Sequence, residues 1–452
     1  MPLRDLFLFG IFVPLVPAMI VHPYIGALAW VVFGLMNPHL LTYGAAYDFP
    51  FSLVIGVSTL AGLFFTRDYR QLKSGAAGVV LVVLIAWMSF TTIFALNPVD
   101  AGPMWSRVMK IMVMTFVLMS VLNTRRHVEL LLVAILCSIA FYGVKGGLFT
   151  ILTGGQSIVL GPGESVVGGN NALAVAIIMV IPLFAHFHQQ SAKPAVKWGL
   201  LACVFLCIAA VLGSYSRGAL LALAATGMVL WFRSSYKAAG MFLLLVTTLI
   251  LIPFMPAQWD SRMRTIESYE QDGSAMGRIY AWTTSWNIGT DRVLGGGFEY
   301  PLNPDVITKY SPSGQRLVAH SIYFQVLGEH GFTGLGLYLL FWALVWKECA
   351  TLRRQTRGDP ELRWADSVAS SVQASLVGFA VGGAFLNLAY WDMPYYLYAA
   401  VVVARYAVVA QAKRTVTSHL PESAPPTSGV VVGPAQHGTQ GTLELPKSSS
   451  NA

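Results

Sequence analysis

The chain is short of charge. Of its 452 residues, 11% are Asp, Glu, Lys or Arg and 55% are hydrophobic, whereas a soluble domain carries about 25% charged residues. That deficit excludes an ordinary soluble fold. Cysteine is also scarce. Cys137, Cys203, Cys207 and Cys349 all lie in or beside apolar runs, which excludes a disulfide framework and a zinc pattern and leaves them as small buried hydrophobes. The first apolar stretch has no small-residue cleavage site and leads straight into further apolar sequence, so no cleaved signal peptide is expected. The longest polar stretch between apolar runs, 255–319, contains no Asp-x-Asp pair and no His/Asp cluster. No metal, no cofactor and no nucleic-acid partner is expected.

Long apolar runs are abundant, among them Gly78–Ala95, Ala172–Phe187, Trp198–Gly213 and Met241–Phe254. A membrane-spanning helix needs about 20 mostly apolar residues. Apolar segments fall near 6–21, 24–41, 50–66, 76–95, 104–122, 128–152, 170–187, 197–213, 217–232, 238–254, 320–346, 367–390 and 393–411. If those from 50 onward alternate, Arg67, Arg70, Lys73, Arg125, Arg126, Lys193, Lys197, Arg233, Lys237, Arg353, Arg354, Arg357, Arg363, Lys413 and Arg414 share one side. The short opposite loops 96–103 and 153–168 hold no Lys or Arg. This positive-inside pattern makes the basic side cytoplasmic. Two full spans at 6–21 and 24–41 would put the N-terminus outside. One broken span, with Pro14, Pro17, Pro23 and Pro38 as the breaks, puts it inside and brings the total to about 12.

The expected fold is therefore all-α, a polytopic inner-membrane protein of about 12 helices. It divides into N-terminal helices (1–254), one large helical periplasmic loop (255–319), C-terminal helices (320–411) and a cytoplasmic tail (412–452). The loop holds a helix-compatible stretch at Gly277–Ile288 and a glycine-rich turn at Gly295–Gly297. A loop that long has a job or a structure of its own. Beyond Thr415 the chain is rich in Pro, Ser, Thr and Gly without apolar periodicity, the composition of a disordered segment.

Ionisable residues within or at the ends of spans are functional candidates by default. Arg107 and Lys110, three apart on one helix face, Lys145, Arg217, Arg278 and His320 all fall at the outer leaflet or just above it. Acids on that side are few, mainly Asp100, Glu164 and Glu329. A cluster of cations short of counter-ions suits a phosphate or diphosphate, and the planar guanidinium of Arg binds phosphate oxygens in pairs. Arg107 and Lys110 equally suit snorkelling to headgroups, Lys145 a carbonyl contact, and His320 a backbone hydrogen bond. Arg405, near the cytoplasmic end of the last span, reads as snorkelling. Trp282, Trp286, Tyr280, Tyr300 and Tyr323 suit stacking on sugar rings or anchoring at the membrane interface, and most of them read as anchors.

Three segments resemble motifs of one family in order and spacing. Gly213-Ser-Tyr-Ser-Arg217-Gly-Ala-Leu, Gly277-Arg278 with Trp282, and His320-Ser-Ile-Tyr-Phe-Gln-Val-Leu-Gly-Glu329-His-Gly331 are similar to those of the O-antigen ligases and related polymerases. The O-glycosylation ligases associated with the exosortase system resemble the chain in the same way. The likeness spans about 50–411. It implies metal-independent, inverting transfer from an undecaprenyl-diphosphate-linked glycan, in the lipopolysaccharide case to a lipid A–core sugar, among membrane lipids. It also implies that His320 is the general base and that Arg217 and Arg278 hold the diphosphate.

The chemistry of the residues agrees. A glycosyl diphosphate carries its own leaving group, so the enzyme must deprotonate an acceptor hydroxyl and neutralise charge growing on the diphosphate. An imidazole suits the first task. Fixed cations suit the second: Arg217 and Arg278 first, then Lys110, Arg107 and Lys145. A polymerase and a protein O-oligosaccharyltransferase would use the same donor. A transporter of lipid-linked sugar is disfavoured, because no internal repeat appears and the cations sit at one face.

Overall fold

The computed structural model describes residues 2–66, 74–233 and 273–419, and these are helical wherever they are regular. The helices are α1 (Leu3–Val21), α2 (Pro23–Met36), α3 (Phe51–Thr66), α4 (Gly75–Ile93), α5 (Pro98–Val121), α6 (Arg125–Leu152), α7 (Asn170–Gln190), α8 (Pro194–Leu212) and α9 (Arg217–Arg233). After the undescribed stretch come α10 (Gly273–Asp291), α11 (Pro304–Tyr310), α12 (Ile322–Thr356), α13 (Arg363–Gly383) and α14 (Asp392–His419). Eight of these are long and apolar enough to cross a membrane, and α2 and α3 are shorter apolar helices. The segment expected at 238–254, the first part of the polar loop and the tail beyond 419 lie outside the described residues.

The ends of the helices sort as the alternating charges require. At one end Arg125 Nη2 donates to Gln190 Oε1 (3.4 Å), Arg233 Nη2 to Gln373 Oε1 (2.9 Å) and Arg353 Nε to Asp366 Oδ1 (3.0 Å). At the other end Asn170 Nδ2 donates to Ser214 O (2.7 Å) and Ala389 N to Gln325 Oε1 (3.3 Å). The basic loops thus gather away from the ends that carry Arg217, Arg278 and His320. Arg405 does not snorkel: its Nη1 lies 3.0 Å from Glu348 Oε2, and an acid within reach holds it inward.

The first two helices correct an expectation. Rather than one broken span, α1 and α2 form an antiparallel hairpin turning at His22. Phe12 packs on Phe33 (ring centres 5.6 Å apart), and Arg4 Nη1 donates to Leu41 O (2.9 Å). The break is not at Pro14 or Pro17, which α1 carries inside its length. It falls before Pro23, the first residue of α2, where a missing N–H costs nothing and the fixed φ already suits a helix.

Helix α12 bends at Gly331 (φ 68°, ψ −174°), a conformation essentially reserved for glycine. Three carbonyls at the break find donors outside the helix. Gly296 N reaches Gly328 O (2.7 Å), Gly297 N reaches Glu329 O (2.8 Å) and Trp87 Nε1 reaches His330 O (2.9 Å). The turn Gly295–Gly297 is thereby riveted to the break. A Cβ on Gly331 would collide with Val293 O. Gly331→Ala is expected to cost at least ~3 kcal/mol from the clash and the disallowed backbone together. Folded protein recovered from membranes should fall sharply, as read by size-exclusion profile and melting temperature.

Glu329 belongs to this joint. It is buried, accepts from the Tyr390 hydroxyl at Oε2 (2.6 Å), and takes the Gln325 amide at Oε1 (3.4 Å). Its partner in the neighbouring span is the Tyr390 phenol.

Candidate active site

At the end opposite the basic loops, four segments wall a cavity of about 490 Å³. They are residues 166–172 at the start of α7, the first turns of α10 with Arg278, the stretch before α12 with Leu317 and His320, and Leu386–Leu388 in the turn between α13 and α14. The volume falls within the range of small-molecule sites, roughly 300–1,000 Å³.

His320 is held in an unusual backbone. Its φ is 43°, in the left-handed region, which costs of order 1–3 kcal/mol for a residue other than glycine unless its surroundings impose it. Trp282 supplies the constraint. Its Nε1 donates to Ala319 O (2.8 Å), and its indole stacks on Phe324 with ring centres 5.2 Å apart and planes 7° from parallel. Trp282 lies four residues after Arg278 on α10, so one helix carries the cation and braces the peptide leading into His320. The imidazole side chain is exposed to the cavity, yet the packed walls around it, and then the Arg278 charge, hold its pKa below the ordinary histidine value. Both influences favour the neutral imidazole, the form that accepts a proton.

Trp282→Phe keeps the stack and removes the N–H donor, leaving Ala319 O unsatisfied, a loss of about 1–3 kcal/mol. The expected result is a melting temperature lower by a few degrees and a kcat roughly tenfold lower, because the peptide leading into His320 loses its brace. Steady-state kinetics beside a melting curve would check it.

Arg217 opens α9, half-buried, directly after the turn Gly213–Ser216. One contact ties that turn to a cavity wall: Asn170, a wall residue, donates to Ser214 O (2.7 Å). A second, from Val159 N to Gly213 O (3.1 Å), holds the turn against the loop after α6. Tyr215, at φ 54°, donates its hydroxyl to Gly155 O. Arg217 is thus next to the cavity, though not among its lining residues.

The other candidate cations are not brought to it. Arg107 and Lys110 are exposed on α5 and Lys145 is exposed on α6. Arg107 faces an acid that sequence spacing did not pair with it. Glu299 has its pKa raised by burial and by Asp100, against the pull of Arg107 and Arg316. Beside Lys145, Gly146 and Gly147 serve packing: a Cβ on Gly147 would strike Leu206 O, so these glycines let α6 and α8 close together.

Several aromatics read as interface anchors are internal fasteners instead. The Tyr300 hydroxyl pairs with Ser285 Oγ (2.8 Å), the Tyr323 hydroxyl donates to Ala380 O (2.9 Å), and Trp282 braces Ala319. Asn170 and Asn387 were missed from sequence because nothing in their local pattern sets them apart; only the fold shows that they share a cavity with His320.

Residues 201–339 match the O-antigen ligase family, and residues 3–192 match a family of unknown function. The first match takes in Arg217, Arg278 and His320. No curated protein matches the chain.

Proposed function

We propose, from the match of residues 201–339 to the O-antigen ligase family, that the chain ligates an undecaprenyl-diphosphate-linked glycan to a lipid A–core sugar at the periplasmic face of the inner membrane. That match supports lipid-linked glycan transfer, and the apolar helices a multi-pass membrane protein, in general. The observation that carries the finer reading is the meeting of Arg278 and His320 on one cavity, at the end away from the basic loops.

His320 takes the proton of the acceptor hydroxyl. The resulting oxygen attacks the anomeric carbon from the side opposite the diphosphate. The bond from that carbon to the diphosphate oxygen breaks, and the electron pair leaves with the diphosphate. Arg278, with Arg217 from the adjoining turn, neutralises the charge that develops there. The anomeric carbon is inverted, and the proton ends on His320. A base must be unprotonated at working pH, and the lowered pKa of His320 meets that need. Transfer is expected to proceed undiminished in chelator.

The test is reconstitution of the purified protein with lipid-linked glycan and lipid A–core as the sole acceptor. A glycan–lipid A–core product supports ligation. Chain extension on the lipid carrier would identify a polymerase, and transfer only to added protein would identify a protein O-oligosaccharyltransferase; either replaces the ligase reading.

A further inference from the structure

The turn between α13 and α14 brings one polar side chain to the cavity. Leu386 and Leu388 on either side of Asn387 are 8% and 2% exposed, and both line the same space. The turn is fixed from beneath. Ala389 N donates to Gln325 Oε1 (3.3 Å), the Tyr395 hydroxyl donates to Ala389 O (2.8 Å), and the Tyr390 hydroxyl is tied to Glu329. Asn387 Oδ1 is buried and has no hydrogen-bond partner among the described residues.

The usual reasons for an asparagine in a turn do not apply. Asn387 is not in the left-handed region, and its amide makes no hydrogen bond to the backbone of its own turn. An unsatisfied buried carbonyl costs stability, and native structures keep few of them without a use. Asn171, on another wall of the same cavity, presents a second side-chain amide. Amides both donate and accept, which matches the hydroxyls of a sugar ring better than it matches a diphosphate.

We infer that Asn387 is the sugar-reading residue of this cavity: its side-chain amide hydrogen-bonds a pyranose hydroxyl, of the donor's first sugar or of the acceptor's, beside Arg278 and His320. The inference rests on the function proposed above and adds to it how the sugar is recognised. Asn387→Leu tests it, because the volume is similar and the fold loses no hydrogen bond. The full-length protein in nanodiscs is titrated with the lipid-linked glycan extracted from the source cells and with the same polyprenyl diphosphate stripped of sugar, and the KM for lipid A–core is measured beside them.

If the donor sugar is read, Asn387→Leu weakens binding of the sugar-bearing lipid about tenfold and leaves the bare diphosphate unchanged. If the acceptor is read, donor binding holds and the acceptor KM rises by a similar factor. In both cases the melting temperature holds at the wild-type value or rises, since a buried unpaired oxygen is removed. The inference is overturned if neither quantity moves, or if the melting temperature falls and both lipids bind more weakly in proportion. Binding does not require turnover. A wild-type protein that binds the sugar-bearing lipid through Asn387 yet forms no product would sink the proposed ligation and leave this inference standing.

Discussion

Replacing His320 with Ala or Asn is expected to abolish glycan transfer while leaving a folded, membrane-inserted protein. Loss of a general base costs about 10²- to 10⁴-fold. Folding should survive, because the imidazole is exposed to the cavity and no hydrogen bond ties it to the described residues. Asn is the more discriminating substitution: asparagine tolerates the left-handed backbone at φ 43°, so its inactivity cannot be assigned to a distorted loop. Melting temperature and size-exclusion profile should match the wild type. The pH profile gives an independent reading. Burial and Arg278 both disfavour the imidazolium, so the acid limb of kcat/KM should fall below the ordinary histidine value of about 6.5. Full activity in either variant would remove His320 from the mechanism.

Arg278→Ala should lower kcat/KM for the lipid-linked donor by about 10²-fold or more, the size expected when one charge-stabilising donor is lost from a transition state. Arg278→Lys should recover only part of this, because an ammonium cannot make the paired hydrogen bonds of a guanidinium. The same substitution makes a second forecast with a defined sign. The positive charge of Arg278 depresses the pKa of His320. Removing it makes protonation easier, so in Arg278→Gln the acid limb should move to higher pH. Unchanged donor kinetics would sink the diphosphate role, and an unmoved limb would mean the two groups do not act in one site.

Much of this was legible in the sequence, and the physics explains which parts. Spans announce themselves by composition, because a helix in lipid must be apolar for about 20 residues whatever it packs against. Helices α4 and α6 to α9 accordingly match the apolar runs to within three residues, and α5 starts six residues before its run. The helix expected at Gly277–Ile288 is α10, Gly273–Asp291, since its residues favour helix locally. What failed depended on pairing across the chain. Prolines at 14, 17 and 23 look alike in sequence, yet only Pro23 marks the reversal, because Phe12 and Phe33 can meet only if the chain turns there. Arg405 was read as snorkelling because Glu348, its partner, is 57 residues away in sequence.

The site divides in the same way. Arg278 and His320 sit 42 positions apart and line one cavity. Glu329 and Gly331 sit in the same motif as His320 and do a different job, forming the joint that fixes the Gly295–Gly297 turn. Motif order carries no information about which members touch substrate and which hold the frame. Trp282, read as an anchor, braces the histidine because α10 packs on the start of α12, a contact between elements that sequence spacing does not encode.

The most direct measurement is a density map of the full-length protein in nanodiscs with a non-transferable analogue of the lipid-diphosphate-linked glycan. The account requires the diphosphate against the Arg278 guanidinium, with the anomeric carbon turned toward His320 inside the 490 Å³ cavity. An analogue ordered at another site, with that cavity empty and Arg278 and His320 untouched, would contradict it.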